Sequence, residues 1–333
     1  MLTRPAGLSD ELLAATLRAG WGLAPVAASY QPVGFGSHHW DVTASAGTRW
    51  FVTVDKLTTR LRTAGDTRDA ACRRLQAALR TARALAGAGA SFVVAPAQTL
   101  GGDVLARIGG EYAVAVYPFV AGCSGKWGGA LTAQDRQSVL GVLVQVHAAP
   151  AAIRDGAGRD DFVLTGADDL RGALADLARD WDSGPFAEPA RRLLARHARD
   201  LEAMLARRDH LADQARSRSG RLVLTHGEPH PGNFMRVGQR WMLIDWDTVL
   251  VAPPERDLWS LDPGDGSILA SYRALTGREI VPAAIGLYRQ TWILADIASC
   301  VARFRREHTG TEDDQEEWKI LRSSLARASL WSE

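Results

Sequence analysis

Lysine is scarce in this 333-residue sequence: of 39 basic residues only Lys56, Lys126 and Lys319 are lysines, so few positions can supply a lysine to pair with phosphate. Cysteine is scarce too. Cys72, Cys123 and Cys300 are far apart and odd in number, which suggests neither a disulfide framework nor a zinc ribbon and fits a reducing cytoplasm. No apolar run approaches the roughly 20 residues of a membrane span, and "MLTRPAGLSDELLAATLRAGWGL" lacks the basic start and apolar core of a signal segment. The expectation is a soluble, cytoplasmic protein with no membrane partner. Net charge is only +1 and the basic residues fall on amphipathic helical patterns, which gives no case for nucleic acid. Internal repeats and low-complexity tracts are absent, and nothing in the sequence speaks to oligomeric state. The length allows two lobes whose cores need no staples.

What is present changes character near residue 120. A helix is expected from Ser9 to Gly20, with Ser9 as its cap and Leu12, Leu13 and Leu17 on one face. Strands fit Val26–Val33, His39–Ala44 and Arg49–Val54, separated by the glycine turns "GFGS" and "SAGT". "TRDAACRRLQAALRTARALAGAGA" reads as a long helix, followed by strands near Phe92–Val94 and Glu111–Tyr117. "YPFVAGCSGKWGGA" has the composition of a connector. Beyond it helices dominate, beginning with one opened by a capping pair, Thr132 and Asp135, and continuing over Asp168–Trp181 and Pro189–Gln214. "RLVLTHGEPHPGNFM" reads as a strand running into a loop, and "FMRV" with "RWMLIDW" as a hairpin. The fold class is therefore α+β, with a β-rich lobe over residues 1–120 and a larger helical lobe over 121–333.

The loop and hairpin hold the residue types of phosphoryl transfer, which needs a carboxylate at the acceptor hydroxyl, oxygen ligands for Mg²⁺ and a cradle for phosphates. In "HGEPHPGN", Glu228 would meet the attacking hydroxyl, and Asn233 would turn an amide oxygen toward a metal. Asp245 closes the apolar strand of "MLIDWD", where a hard carboxylate ligand suits Mg²⁺. "HGE" with Asn five residues past the Glu, then "LIDWD" and "APPERDL", resembles the catalytic core of the aminoglycoside phosphotransferase and choline kinase family, a branch of the protein-kinase fold. The connector, glycine hairpin and helical tail are similar as well, and the nearest pattern is that of the spectinomycin phosphotransferases.

The resemblance implies a two-lobed protein-kinase-like fold, with nucleotide bound by the first lobe and acceptor by the second. It implies transfer from ATP or GTP to a hydroxyl of a small molecule of the aminoglycoside or aminocyclitol-like antibiotic kind. Glu228 would be the catalytic carboxylate, and Asn233 and Asp245 the Mg²⁺ ligands. Gly34, Gly36 and Ser37 would cover the phosphates, and backbone at Pro118, Phe119 and Val120 would meet adenine.

The chain also departs from the family pattern. Glu228 stands where relatives carry Asp. The strand lysine falls at Thr53; Lys56, three residues on, points to the other face unless the chain bends, and the paired glutamate falls near Gln76. Losing both charges leaves no lone buried charge, and leaves Mg²⁺ and backbone amides to neutralise phosphate. Two alternatives follow: a catalytically impaired nucleotide or small-molecule binder, and a choline or amino-alcohol kinase. A metal-hydrolase site on His226 and His230 fails because Pro229, Pro231 and Gly232 break the helix it requires; His226 is expected to pack within the loop. Asp247 is a candidate for the substrate side. Asp296, on an apolar helix, needs a partner, either an arginine or a substrate amine. Arg256 and Asp257 are expected to pair, "EHTGTEDDQEEWK" to start a solvated helix, and Trp40, Trp127, Trp246 and Trp259 either to fill core or to line the acceptor pocket.

Overall fold

The computed structural model describes residues 1–126, 128–217 and 219–329, so Trp127 lies outside the described residues. Helix α1 (Asp10–Trp21) starts where the Ser9 hydroxyl accepts the Leu12 amide and ends at Gly22, whose left-handed backbone (φ 67°) closes the last turn. Strands β1 (Pro25–Gln31), β2 (Ser37–Ala44) and β3 (Arg49–Lys56) form the antiparallel meander that the glycine turns predict. Helix α2 (Arg68–Gly87) leads to β4 (Ala106–Ile108) and β5 (Tyr112–Pro118), completing a sheet of order β1-β2-β3-β5-β4.

Alternation along β3 sorts its faces. Val52 and Val54 pack with Trp40 of β2 and with Leu13 and Leu17 of α1. Thr53 and Asp55 face the other way, on the side where their β5 partners Ala115 and Ala113 meet Leu75 and Leu79 of α2.

The second lobe begins with β6 (Cys123–Ser124) and α3 (Ala133–His147), whose Thr132 cap accepts the Asp135 amide. Helices α4 (Ala151–Gly156), α5 (Ala167–Ala175) and α6 (Ala187–Arg216) follow. Strand β7 (Val223–Thr225) enters the loop, β8 (Phe234–Val237) and β9 (Arg240–Leu243) form the hairpin, and β10 (Leu250–Ala252) returns antiparallel to β7. Helices α7 (Glu255–Leu261), α8 (Ser267–Thr276), α9 (Pro282–Phe304) and α10 (Glu312–Ser329) complete it. One core gathers Ala78, Ala82 and Leu85 of α2 with Leu140 and Leu143 of α3 and Trp246, so α2 serves both lobes. A second joins the apolar faces of α5, α6, α9 and α10.

Three expectations are corrected. The helix over Asp168–Trp181 stops at Ala175. Residues 92–94 form no strand; Val93 bridges Leu243, the Val94 amide donates to Leu243 O, and the Leu243 amide to Phe92 O. The start of α10 is solvated only in part: Glu312 and Gln315 are exposed, but Asp313 is buried and accepts the amides of Leu2 and Thr3, and Asp314 is buried, accepts those of Gly310 and Thr311 and pairs with Arg303. Among the described residues no helix is long and apolar enough to cross a membrane, and the three cysteines are free.

Candidate active site

Two neighbouring charges of α7 hold the loop after β7. The Asp257 carboxylate, fully buried, accepts the amides of His226 (2.9 Å) and Gly227 (2.6 Å) and bonds His147 Nε2 (3.0 Å), whose Nδ1 reaches the Tyr272 hydroxyl at 2.8 Å. Burial alone would raise the pKa of Asp257, but the hydrogen bond and charge of His147 hold it below the usual carboxylate range. Arg256 donates to Thr225 Oγ1 (2.9 Å) and Thr248 O (2.8 Å). The two residues thus grip different parts of the loop and do not bond one another as expected. Gly227 has φ 101°, and a Cβ there would lie 2.4 Å from the Arg256 guanidinium, so glycine is required. His226 does pack within the loop, with Nε2 on Ile244 O at 2.9 Å and its ring edge-on to Trp246.

Hairpin register brings the metal candidates together. Phe234 pairs with Leu243, and the Ile244 amide donates to Asn233 O (3.0 Å), so Asn233 and Asp245 leave the same end of the hairpin. Asn233 Nδ2 donates to Glu228 O (3.0 Å); a carbonyl only accepts, which fixes the amide orientation and turns Oδ1 away from that bond. Asp245 is one of two non-glycine residues with positive φ among those described (63°), the kind of strained backbone that collects at functional sites.

The carboxylates crowd one another. Burial first, then Asp247, pushes Glu228 up to about 7; burial, Asp247 and Glu228 raise Asp245 well above its ordinary value. Such a cluster favours a bound cation. Among the described residues no three His, Cys, Asp or Glu side chains form a metal cage by themselves. Mg²⁺ needs none, since it takes one or two carboxylates and completes its shell with phosphate oxygens and water. Asp245 with Asn233 Oδ1 fits that requirement.

On the sheet side, Gly34 (φ 71°) and Gly36 (φ 85°) turn the chain between β1 and β2, and Ser37 Oγ donates to Asp55 (2.6 Å). Thr53 lies on the same face of β3 as Asp55. Lys56 does not bend into the cleft: it shares the face of Val52 and Val54 and forms an exposed ion pair with Glu111 at 3.2 Å. Gln76 bonds Asp103. Pro118 pairs with Trp50 at the end of β5, and the Phe119 amide donates to Arg49 O (3.2 Å), with Val120 next in the connector. Asp247 pairs with Arg60, a residue that no sequence motif marked because its partner is 187 positions away.

A cavity of 390 Å³ opens beside Glu228, whose side chain is 32% accessible, and is walled by Trp259 and Trp292 with ring centroids 5.7 Å apart. His230 lines it as well, 4.0 Å from the Glu228 carboxylate. Trp40 and Trp246, expected as possible lining, are instead fully buried core. Asp296 sits one turn beyond Trp292 on α9; burial pushes its carboxyl up to about 7, against a Ser324 hydrogen bond (3.2 Å) and the charge of Arg327. Its spacing from Trp292, i and i+4 on one helix, was the available signal for the tryptophan.

Residues 31–280 match the phosphotransferase enzyme family. Protein StrN of Streptomyces griseus is 30% identical over 252 residues, covering 71% of this chain and 72% of StrN. Among solved structures, a spectinomycin phosphotransferase in complex with ADP and spectinomycin superposes with TM-score 0.73 at 17% identity, over 98% of this chain and 99% of that one. A microcompartment-associated aminopropanol kinase gives 0.58 at 15% identity, over 96% and 97%. The likenesses to solved structures are of fold; the family match and StrN are of sequence, and with them the chain belongs to the phosphotransferase enzyme family, on a two-lobed, kinase-like fold.

Proposed function

We propose that the protein transfers the γ-phosphoryl group of ATP or GTP to a hydroxyl of a small, ring-bearing acceptor of the aminocyclitol or aminoglycoside kind. Glu228 carries the reading. Its carboxylate opens on the cavity, while its backbone carbonyl holds the amide of Asn233 beside Asp245. An acceptor hydroxyl in the cavity is therefore within reach of a carboxylate on the same short loop as the metal candidates. Burial and the neighbouring Asp247 raise the Glu228 pKa, which makes its carboxylate a stronger base toward an acceptor hydroxyl. Its extra methylene relative to aspartate is met by placing the acceptor oxygen further out.

Mg²⁺ held by Asn233 and Asp245 would neutralise charge on the transferring phosphoryl group and the β-phosphate. The turn Gly34–Ser37 would cover the phosphates, with Thr53 beneath them. Because the Phe119 amide is engaged by Arg49, adenine would meet the flanking backbone of Pro118 and Val120. Residues 1–120 thus serve the nucleotide and residues 121–333 the acceptor.

The cavity wall favours one kind of acceptor. Trp259 and Trp292 offer ring faces, and among the lining residues the carboxylates are Glu228 and Asp262. Such a wall suits a polyhydroxylated ring with few ammonium groups better than a polycation, and 390 Å³ lies in the range of drug-sized ligand sites rather than of a choline headgroup. The spectinomycin bound by a neighbour of the same fold is of this kind.

Phosphorus NMR with Mg²⁺ and ATP or GTP, across aminocyclitols, aminoglycosides and amino alcohols, tests the reading. A phosphorylated aminocyclitol is expected, and Glu228→Gln is expected to lower turnover about 10²- to 10⁴-fold with little change in acceptor affinity. Nucleotide binding with no product from any acceptor would favour a binding protein; preferential turnover of amino alcohols would overturn the acceptor assignment.

A further inference from the structure

Thr53 and Gln76 stand where the strand lysine and its glutamate were expected, yet the cleft contains a cation. Arg60 ends the short 3₁₀ turn Leu57–Arg60 that follows β3. Its Nε and Nη2 lie 3.0 and 2.6 Å from Asp55 Oδ1, Nη2 lies 3.3 Å from Ser37 Oγ, and Nη2 also donates to Asp247. One guanidinium thus joins β3, the glycine turn and the segment two residues past Asp245. Only 20% of the side chain is accessible. Burial opposes its charge, but Asp55 and Asp247 outweigh burial and raise its pKa, so it stays cationic.

The expected arrangement has a cation on the strand and a carboxylate on the following helix. Here the polarity is exchanged: the strand carries Asp55, two residues beyond Thr53 on the same face, and the turn after it carries the cation.

We propose that Arg60 is the side-chain cation that contacts the nucleotide phosphates in place of the strand lysine, with Asp55 as its positioning residue. Asp247 is the carboxylate it releases in exchange for a phosphate oxygen. The inference rests on the phosphotransferase reading. A planar guanidinium suits the task because one edge can keep Asp55 while the other donors turn to phosphate. Among the described residues, Nη1 has no hydrogen-bond acceptor, leaving a donor available.

Calorimetry of ATP and adenosine binding without metal tests it apart from turnover. Arg60→Gln is expected to weaken ATP about tenfold or more, the value of a charge-assisted hydrogen bond, and to leave adenosine within about twofold. Arg60→Lys, which keeps the charge but not the fork, should lose about threefold for ATP alone. Thr53→Lys in the Arg60→Gln background should recover most of the loss by returning a cation to the strand. Equal weakening of ATP and adenosine, or ATP binding that is unchanged or tighter, overturns the proposal and leaves Arg60 as a clasp between lobes. If Arg60→Gln does not fold, the ATP-to-adenosine ratio of Arg60→Lys decides, and an unchanged ratio overturns it. Wild-type protein that binds ATP and phosphorylates an acceptor while these variants behave normally would refute this inference alone; wild-type protein without transfer would refute the reading beneath it.

Discussion

The two sides of the cleft are held in different ways. On the helical side, Asp257 and Arg256 fix the loop through buried hydrogen bonds to backbone amides, a carbonyl, His147 and Thr225. On the sheet side, the glycine turn is tied down by charge: Ser37 to Asp55, Asp55 to Arg60, Arg60 to Asp247. The amides of His226 and Gly227 donate to the buried Asp257 carboxylate, a bond that needs no ligand to form, so the helical side is set before any ligand arrives. A guanidinium can trade a carboxylate for a phosphate, so the sheet side can respond to one. Geometry for the acceptor is built in, and contact with the nucleotide is exchangeable.

The largest effect expected from breaking this comparison is at Asp245. Asp245→Ala removes the carboxylate next to Asn233 and should lower transfer by about 10³-fold or more, since electrostatic stabilisation is most of phosphoryl-transfer catalysis. The fold should survive, because a buried carboxyl with a raised pKa destabilises its surroundings when ionised. Thermal unfolding without metal should shift little, the relief of a buried carboxylate offsetting the ~1 kcal/mol that alanine costs in the left-handed backbone of this position, and the stabilisation gained from Mg²⁺ with nucleotide should vanish; full turnover would remove Asp245 from the site. Asp257→Ala should act in the opposite sense, through stability. It strands two buried amides and His147, at a cost of about 3–5 kcal/mol. Urea unfolding that shifts by less than about 1 kcal/mol would mean the loop is held by something else.

Where local chemistry decides a feature, the sequence displays it. Ser9 and Thr132 cap helices because a hydroxyl in that position satisfies an orphan amide, and the loop and hairpin that carry Glu228, Asn233 and Asp245 are legible because short-range turn and strand signals make them. Elements made by distant pairing are not legible. β10 is three residues long and is a strand only because β7 lies beside it, and β4 likewise depends on β5. Arg60 was hidden for the same reason: nothing within "LTTR" shows that Asp247 will reach it. Tryptophans misled in the other direction. Trp246 lies next to Asp245 in sequence, yet its indole donates to Leu243 O and fills the core, whereas Trp292, remote in sequence, walls the cavity.

A smaller effect distinguishes two aspartates of the same lobe. Asp257 accepts two amides and is held below the usual carboxylate range, whereas Asp296, with only side-chain donors in Ser324 and Trp292, is pushed from 3.8 up to about 7, by burial above all. A carboxyl whose pKa is raised on folding binds its proton more tightly in the folded state. The stabilisation from that proton is complete below the unfolded value near 4 and is lost as pH rises through about 7. Asp296→Asn imitates the protonated form at every pH. Its melting temperature should therefore match that of the wild type near pH 4, rise above it as pH increases, and keep a constant lead above about pH 7. The same substitution at Asp257 should show no such gain. A melting temperature for Asp296→Asn that falls below that of the wild type as pH rises would mean the carboxyl is ionised with Arg327 as a full partner, and the contrast between the two aspartates would disappear.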